Sequence, residues 1–269
     1  MGKIVGSFAC SHAPQIVSKP NITDIYQKQV EEVQVGLESL GRKIEKLNPD
    51  TVILIGADHL ESFFFDNYPM ILIPVTKKVS GTMGNESYTY ETDEELSRSL
   101  LFNLVNGGFD VSFAQKFKLD HPFYSPLKFI FKEYTKPIIP IHINSNVPPL
   151  ISIKRAFLIG KEIRKIIQNN SNKNVVVIGT GGLSHYPGTP FYGKVDLDFD
   201  NKLLSNIEKG LVKKIINLEP EKVENAGNLE LRTWVAAMGA AGKFKGDVLL
   251  HVPTFHIDYS IVWFKEVTE

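Results

Sequence analysis

DIYQKQVEEVQVGLESLGRKIEKLNPDTVILIGADH, Asp24 to His59, places two hydrophobic periodicities next to each other. From about Asp24, Val33, Leu37, Leu40, Ile44 and Leu47 recur at steps of four and three, which gives a helix one apolar face. Thr51 to Gly56 is then a short β-branched run of strand length. The alternation continues outward on both sides. Further strands are expected at Lys3 to Cys10, Met70 to Pro74, Phe109 to Phe113, Ile138 to Ile143, Val175 to Thr180 and Val248 to Pro253. Helices are expected at Glu94 to Val105, Ser152 to Ile167, Asn206 to Ile216 with a break near Gly210, and Asn228 to Ala241. The pattern predicts an α/β sandwich with a central mixed β-sheet flanked by helices. With no internal repeat, low-complexity tract or Pro/Gly/Ser-rich linker, residues 1–269 are expected to form a single domain.

Composition narrows the partners. Lysine plus arginine equals aspartate plus glutamate at 30 each, so no global field draws in nucleic acid or an anionic membrane. A small molecule is the expected partner. Cys10 is the sole cysteine and the N-terminus lacks a signal-peptide pattern, which predicts a cytoplasmic protein without disulfides. No run approaches the roughly 18–20 apolar residues of a membrane span.

Four of the seven histidines sit just beyond expected strands or in loops. His12 follows the first strand in Cys10-Ser11-His12-Ala13-Pro14, His59 follows the second in Asp58-His59, and His185 ends Gly179-Thr180-Gly181-Gly182-Leu183-Ser184-His185. His121 lies in a loop, Asp120-His121-Pro122. Loops at the carboxyl ends of strands are where an α/β sheet collects ligands and catalytic groups. Histidines clustered without cysteine disfavour structural zinc and favour a metal that keeps open positions. A carboxylate is then needed as third ligand. Glu230 is the candidate: on a helix from Asn228 it shares a face with Trp234, Ala237, Met238 and Ala241, so the acid faces the core and asks for a cation. A salt bridge to Arg232, or a helix turned so that Glu230 meets solvent, remain alternatives.

The glycine run before His185 lacks the spacing of a phosphate loop. It fits a strand whose backbone turns sharply beside a ligand, with His185 as a reacting group in the pocket. His142, His251 and His256 are read as packed or hydrogen-bonded β-segment residues, the last two also as possible pocket wall.

Taken in order, the SHxP element at His12, the Asp-His pairs at His59 and His121, GTGGLSH at His185 and ELRTWVAA from Glu230 resemble the class III (LigB-type) extradiol dioxygenases. This is the family of the protocatechuate 4,5-dioxygenase β subunit and 2,3-dihydroxyphenylpropionate dioxygenase. The resemblance implies that His12, His59 and Glu230 bind Fe(II), and that His185 and His121 act as acid and base groups. It implies meta cleavage of a catecholic ring with O2 to a ring-opened semialdehyde, in a homo-oligomer, with a small α subunit in some members. One departure is Pro122, where the family usually has glycine; proline biases the preceding His121 toward extended geometry. The alternatives are ring cleavage of an aminophenol, a zinc or iron hydrolase using His185 as base, and a non-catalytic metal-site protein of the MEMO-like kind. Residues that read the ring substituent are expected on loops such as Ser80 to Tyr90 and Tyr186 to Tyr192.

Overall fold

The computed structural model describes residues 1–132 and 134–267. In chain order its elements are β1 (Lys3–Cys10), α1 (Gln15–Ser18), α2 (Asp24–Leu47), β2 (Thr51–Gly56), β3 (Ile71–Pro74), β4 (Lys78–Met83), β5 (Glu86–Glu91), α3 (Glu94–Asn106), β6 (Ser112–Ala114) and α4 (His121–Ile130). There follow β7 (Ile138–Ile143), α5 (Ile153–Asn170), β8 (Asn174–Thr180), α6 (Leu197–Glu208), α7 (Val212–Ile216), α8 (Pro220–Asn225), α9 (Leu231–Ala241), β9 (Phe244–Pro253) and β10 (Asp258–Glu266). The β-elements make one eight-stranded sheet in the order β6-β3-β7-β2-β8-β1-β10-β9, plus the separate hairpin β4-β5.

The centre of the sheet, β7-β2-β8-β1, is parallel, while β3 pairs antiparallel with β7 and β10 antiparallel with β1. Parallel strands lie under helices on both faces, which is why β2 and β7 are apolar and buried almost without interruption. The two faces still divide by strand period. Val52 and Leu54 join the core beneath α2 and α4, with Leu37, Leu40, Ile44 and Phe123. Ile53 and Ile55 join the other core, beneath α3, α5 and α9. The long helix α2 starts where the Thr23 side chain accepts the Tyr26 N–H and stops at Asn48, which takes the left-handed conformation. Among the described residues no helix is long and apolar enough to cross a membrane.

Several expectations shift. The strand expected at Phe109 to Phe113 is confined to Ser112–Ala114, because Gly108 at φ 86° turns the chain after α3 and the Phe109 N–H still bonds back to Leu104. The break at Gly210 is present, with φ 64°, but the helix before it begins at Leu197 because Asp196 caps it. Ser80 to Tyr90 is a hairpin rather than a loop. His121 opens α4: Asp120 caps that helix and Pro122 sits in its first turn, where a missing N–H costs nothing. The extended bias expected from Pro122 is therefore overridden.

Helices α5 and α9 cross so closely that their backbones meet. A Cβ built on Gly160 would lie 1.8 Å from the Ala236 carbonyl oxygen, and one on Gly239 would lie 2.2 Å from that of Phe157. Neither obstacle is a flexible side chain, so the helices would have to separate. Gly160→Ala is expected to destabilise the protein by about 3 kcal/mol, the cost of overpacking a well-filled contact. Urea unfolding measures it, and a loss below about 0.5 kcal/mol would mean that the helices do not pack in this way.

Candidate metal centre

Adjacent parallel strands bring the histidines together. β2, β8 and β1 are neighbours running in one direction, so the segments leaving Gly56, Thr180 and Cys10 emerge at one edge of the sheet. The exit of β1 is held by Gly181 N–H donating to the Cys10 carbonyl and by Ser11 N–H donating to that of Ser260. His12 follows, buried. Beyond β2, Asp58 accepts the N–H groups of Glu61, Ser62 and Phe63, while His59 N–H donates to Asp120 at 2.8 Å. The His59 ring places Nδ1 3.1 Å from the Ala57 carbonyl, which calls for a proton on Nδ1 and leaves Nε2 as a lone-pair donor.

Glu230 is not on the face of a helix. It is the N-cap of α9, and residues 228–230 form the turn before it. Its carboxylate nevertheless reaches the expected place. Oε1 lies 3.2 Å from His12 Nε2 and 3.1 Å from His59 Nε2. Oε2 accepts the Gly182 N–H at 3.2 Å and stands 3.6 Å from His185 Nε2. The residue is 1% exposed, so the solvent-facing alternative fails. Arg232 pairs instead with Glu224 and donates to the Ile151 and Leu229 carbonyls.

Glu230 Oε1 has no hydrogen-bond partner of proper geometry, nor does His12 Nδ1, although both are buried. Two imidazole nitrogens and an unbonded carboxylate oxygen about 3 Å apart have the spacing of donors sharing one cation, whose bonds to N and O run about 2.0–2.2 Å. His121 adds a third ring: nitrogens of His12, His59 and His121 lie within 4.8 Å of one another, a group able to hold a metal ion. These residues fit a metal.

The neighbouring carboxylates set the electrostatics. Burial would raise Asp120, but the hydrogen bond and charge of His121, with the charge and N–H of His59, hold it down at about 2. Burial pushes His121 down to about 4 against the pull of Asp120, and it lowers His185 against the charge of Glu230. Burial would likewise raise Glu230, yet His12 and His59 keep it well below the ordinary carboxylate range. Farther in, buried Asp200 accepts the Ser184 N–H and hydroxyl and an Asn228 Nδ2–H, tying the His185 loop to the turn that leads into Glu230. Burial, with Asp258 nearby, raises Asp200 to about 7.

The glycine run behaves as a close-approach turn. A Cβ at Gly181 would stand 3.0 Å from the Glu230 carbonyl oxygen, and one at Gly182 would stand 3.1 Å from the His185 ring. His142 is a buried strand residue, accepting the Asp58 N–H and bonded to the Pro69 carbonyl. His251 pairs with Asp258 at 2.8 Å. His256 does line the metal-side chamber, a space of about 190 Å³ that also takes in Tyr192 and Ile257. The cause is topological: β9 runs parallel to β1 through two antiparallel steps, so the β9–β10 turn carrying His256 lies at the same sheet edge.

Asp120 links this geometry to pH. Its folded value of about 2 lies below the ordinary 3.8, so its contribution is complete above about pH 4 and is lost as pH falls toward 2. In metal-free protein that contribution is about 2 kcal/mol. Asp120→Asn is expected to lower stability by about this amount at pH 7 and to flatten the dependence between pH 4 and 2, as read by urea unfolding. Equal slopes for the two proteins would remove Asp120 as the anchor of His59 and His121.

Residues 6–262 match the family described as "Catalytic LigB subunit of aromatic ring-opening dioxygenase". A 2,3-dihydroxyphenylpropionate/2,3-dihydroxicinnamic acid 1,2-dioxygenase of Pseudomonas putida is 29% identical over 197 residues, 73% of this chain and 61% of the relative. One of the same description from Klebsiella pneumoniae (strain 342) is 28% identical over the same shares. The matched region thus spans about three fifths of the length of these curated relatives. The crystal structure of the uncharacterized protein JW3007 from Escherichia coli K12 superposes with a TM-score of 0.65 at 13% identity, covering 96% of this chain and 99% of that one, which shows a shared fold. With a match that runs through nearly the whole sheet and every strand end described above, the chain belongs to the LigB family of aromatic ring-opening dioxygenases.

Proposed function

We propose that this chain cleaves a catecholic ring at an extradiol bond, inserting both atoms of O2 to give a ring-opened semialdehyde, with Fe(II) held by His12, His59 and Glu230. The observation that carries the reading is the single Glu230 oxygen set 3.1–3.2 Å from two imidazole Nε2 atoms and left without a hydrogen bond. The activity in the names of the P. putida and K. pneumoniae relatives supports it. Fe(II) in a two-His, one-carboxylate site supplies open positions for a chelating diol and O2 and the Lewis acidity to acidify a hydroxyl.

The remaining groups hold and move protons. His185 bonds through Nδ1 to the Leu183 carbonyl at 2.9 Å, which leaves Nε2 as the acceptor facing the Glu230 end of the chamber. That acceptor supports a role for His185 as the general base that takes a proton from a catechol hydroxyl. His121 is set the same way by Asp120, whose Oδ1 lies 2.8 Å from Nδ1. Its Nε2 is left to carry a proton beside His59, 4.5 Å away between ring centroids. The chamber of about 190 Å³ is the size of one aromatic ring, since a cavity of about 150 Å³ binds benzene. Its apolar walls, including Ala13, Pro14 and Ile257, limit water around the ring.

The test is anaerobic reconstitution with Fe(II), then O2 uptake and absorbance spectra against protocatechuate, gallate, 2,3-dihydroxyphenylpropionate and 2-aminophenol. Stoichiometric uptake with a yellow product is expected from at least one diol; uptake only with 2-aminophenol would replace the catechol assignment. His12→Ala and Glu230→Ala should lose the metal. His185→Ala should keep it and lose about 100-fold or more in kcat. Normal turnover by that variant would end the assignment of His185 as base.

A further inference from the structure

A cavity of about 900 Å³ abuts the ring-sized chamber and shares His59, His185, Pro187 and Glu230 with it. Its volume far exceeds what a bare ring needs. Much of its wall is apolar, with Leu60, Phe65, Val147, Pro148, Phe191 and Leu229. Nearly all its charged groups are already matched. The Asp58 carboxylate is taken by three backbone N–H groups, and Glu224 is paired with the buried Arg232. His59, His185 and Glu230 belong to the metal end.

Lys194 is the exception. It lines the cavity and makes no ion pair among the described residues. Its Nζ lies 5.7 Å from the centroid of the Tyr186 ring and 5.8 Å from that of Phe191. Two aromatic faces at that distance orient an ammonium but leave its charge unneutralised. An unmatched cation at the rim of an apolar cavity favours a ligand that ends in an anion. One lysine suits a monoanion such as a carboxylate, because a phosphate calls for more donors than the single point charge offers.

We infer that the larger cavity takes the side chain of the aromatic substrate, and that Lys194 is the residue that recognises a carboxylate at its end. The substrate class is then an arene diol carrying an apolar spacer and a terminal carboxylate. This rests on the ring-cleavage reading for the position of the diol, because the shared walls put the ring at the metal end and the spacer in the larger cavity.

The experiment separates the two readings by measuring binding without O2. Fe(II)-loaded full-length protein is titrated anaerobically, by calorimetry, with 2,3-dihydroxyphenylpropionate and with its primary amide, which keeps the ring and spacer but removes the charge. Lys194 is solvent-exposed, so the acid should bind the wild type about fivefold more tightly than the amide, the upper range of an exposed charge pair. In Lys194→Met the two affinities should converge to within about twofold, and Lys194→Arg should restore most of the preference. Equal affinities in the wild type, a preference that survives Lys194→Met, or no binding of either compound would overturn the assignment. Lys194-dependent preference without O2 uptake in the separate turnover assay would keep this assignment and sink ring cleavage, whereas turnover without the preference would do the reverse.

Discussion

A carboxylate shut away from water must find positive charge or be protonated, and the site is built around that demand. Glu230 is nearly inaccessible, yet the nearest fixed cation in the sequence, Arg232, turns away and spends its donors on Glu224 and two carbonyls. What the fold supplies to Glu230 is one backbone N–H on Oε2 and two imidazoles around Oε1. With the carboxylate these imidazoles make a donor set able to hold a metal ion.

Close backbone approach is the condition for that arrangement. Helix α9 starts against the end of β8, where a Cβ at Gly179 would lie 2.5 Å from the Thr233 carbonyl oxygen. Its far half is pinned to α5 through the Gly160 and Gly239 crossing. Side chains at these positions would lift the N-terminus of α9, and Glu230 with it, away from His12 and His59. Two buried aspartates then fix the surrounding loops. Asp120 holds the His59 backbone and the His121 ring, and Asp200 joins the His185 loop to Asn228. Each stabilises a loop at this sheet edge by accepting hydrogen bonds at buried oxygens, where such bonds are strong and their absence costly.

The histidines that the sequence singles out by position arrive together because they follow strands, and strand patterns are local. His12, His59 and His185 each sit a few residues past a β-branched run, and parallel neighbours carry those ends to one edge. Asp-His-Pro at His121 reads as a loop, although aspartate before a proline in the first turn is also how a helix begins, and here it opens α4. Glu230 is the converse: good helix formers run from Asn228, but Asn228 is drawn into the Asp200 network and the helix starts at Leu231. The hairpin β4-β5 and the strand β10 do have local signals that the expected strands omit, the two-residue Gly84-Asn85 turn and the β-branched and aromatic run Tyr259 to Phe264, whereas the pocket position of His256 depends on pairing between distant segments.

By itself the sequence determined the α/β class, the strand ends that bear His12, His59 and His185, and the identity of an acid on the segment entering α9, because hydrophobic period and residue chemistry are properties of neighbours along the chain. Only the tertiary structure decided that Glu230 is an N-cap, that Asp120 bonds to two histidines, that His256 lines the chamber, and that Lys194 lines the larger cavity with no ion pair among the described residues. Those facts depend on strand order and on how closely backbones can approach, and both are settled by packing between segments as far apart in the chain as Phe8 and Trp263.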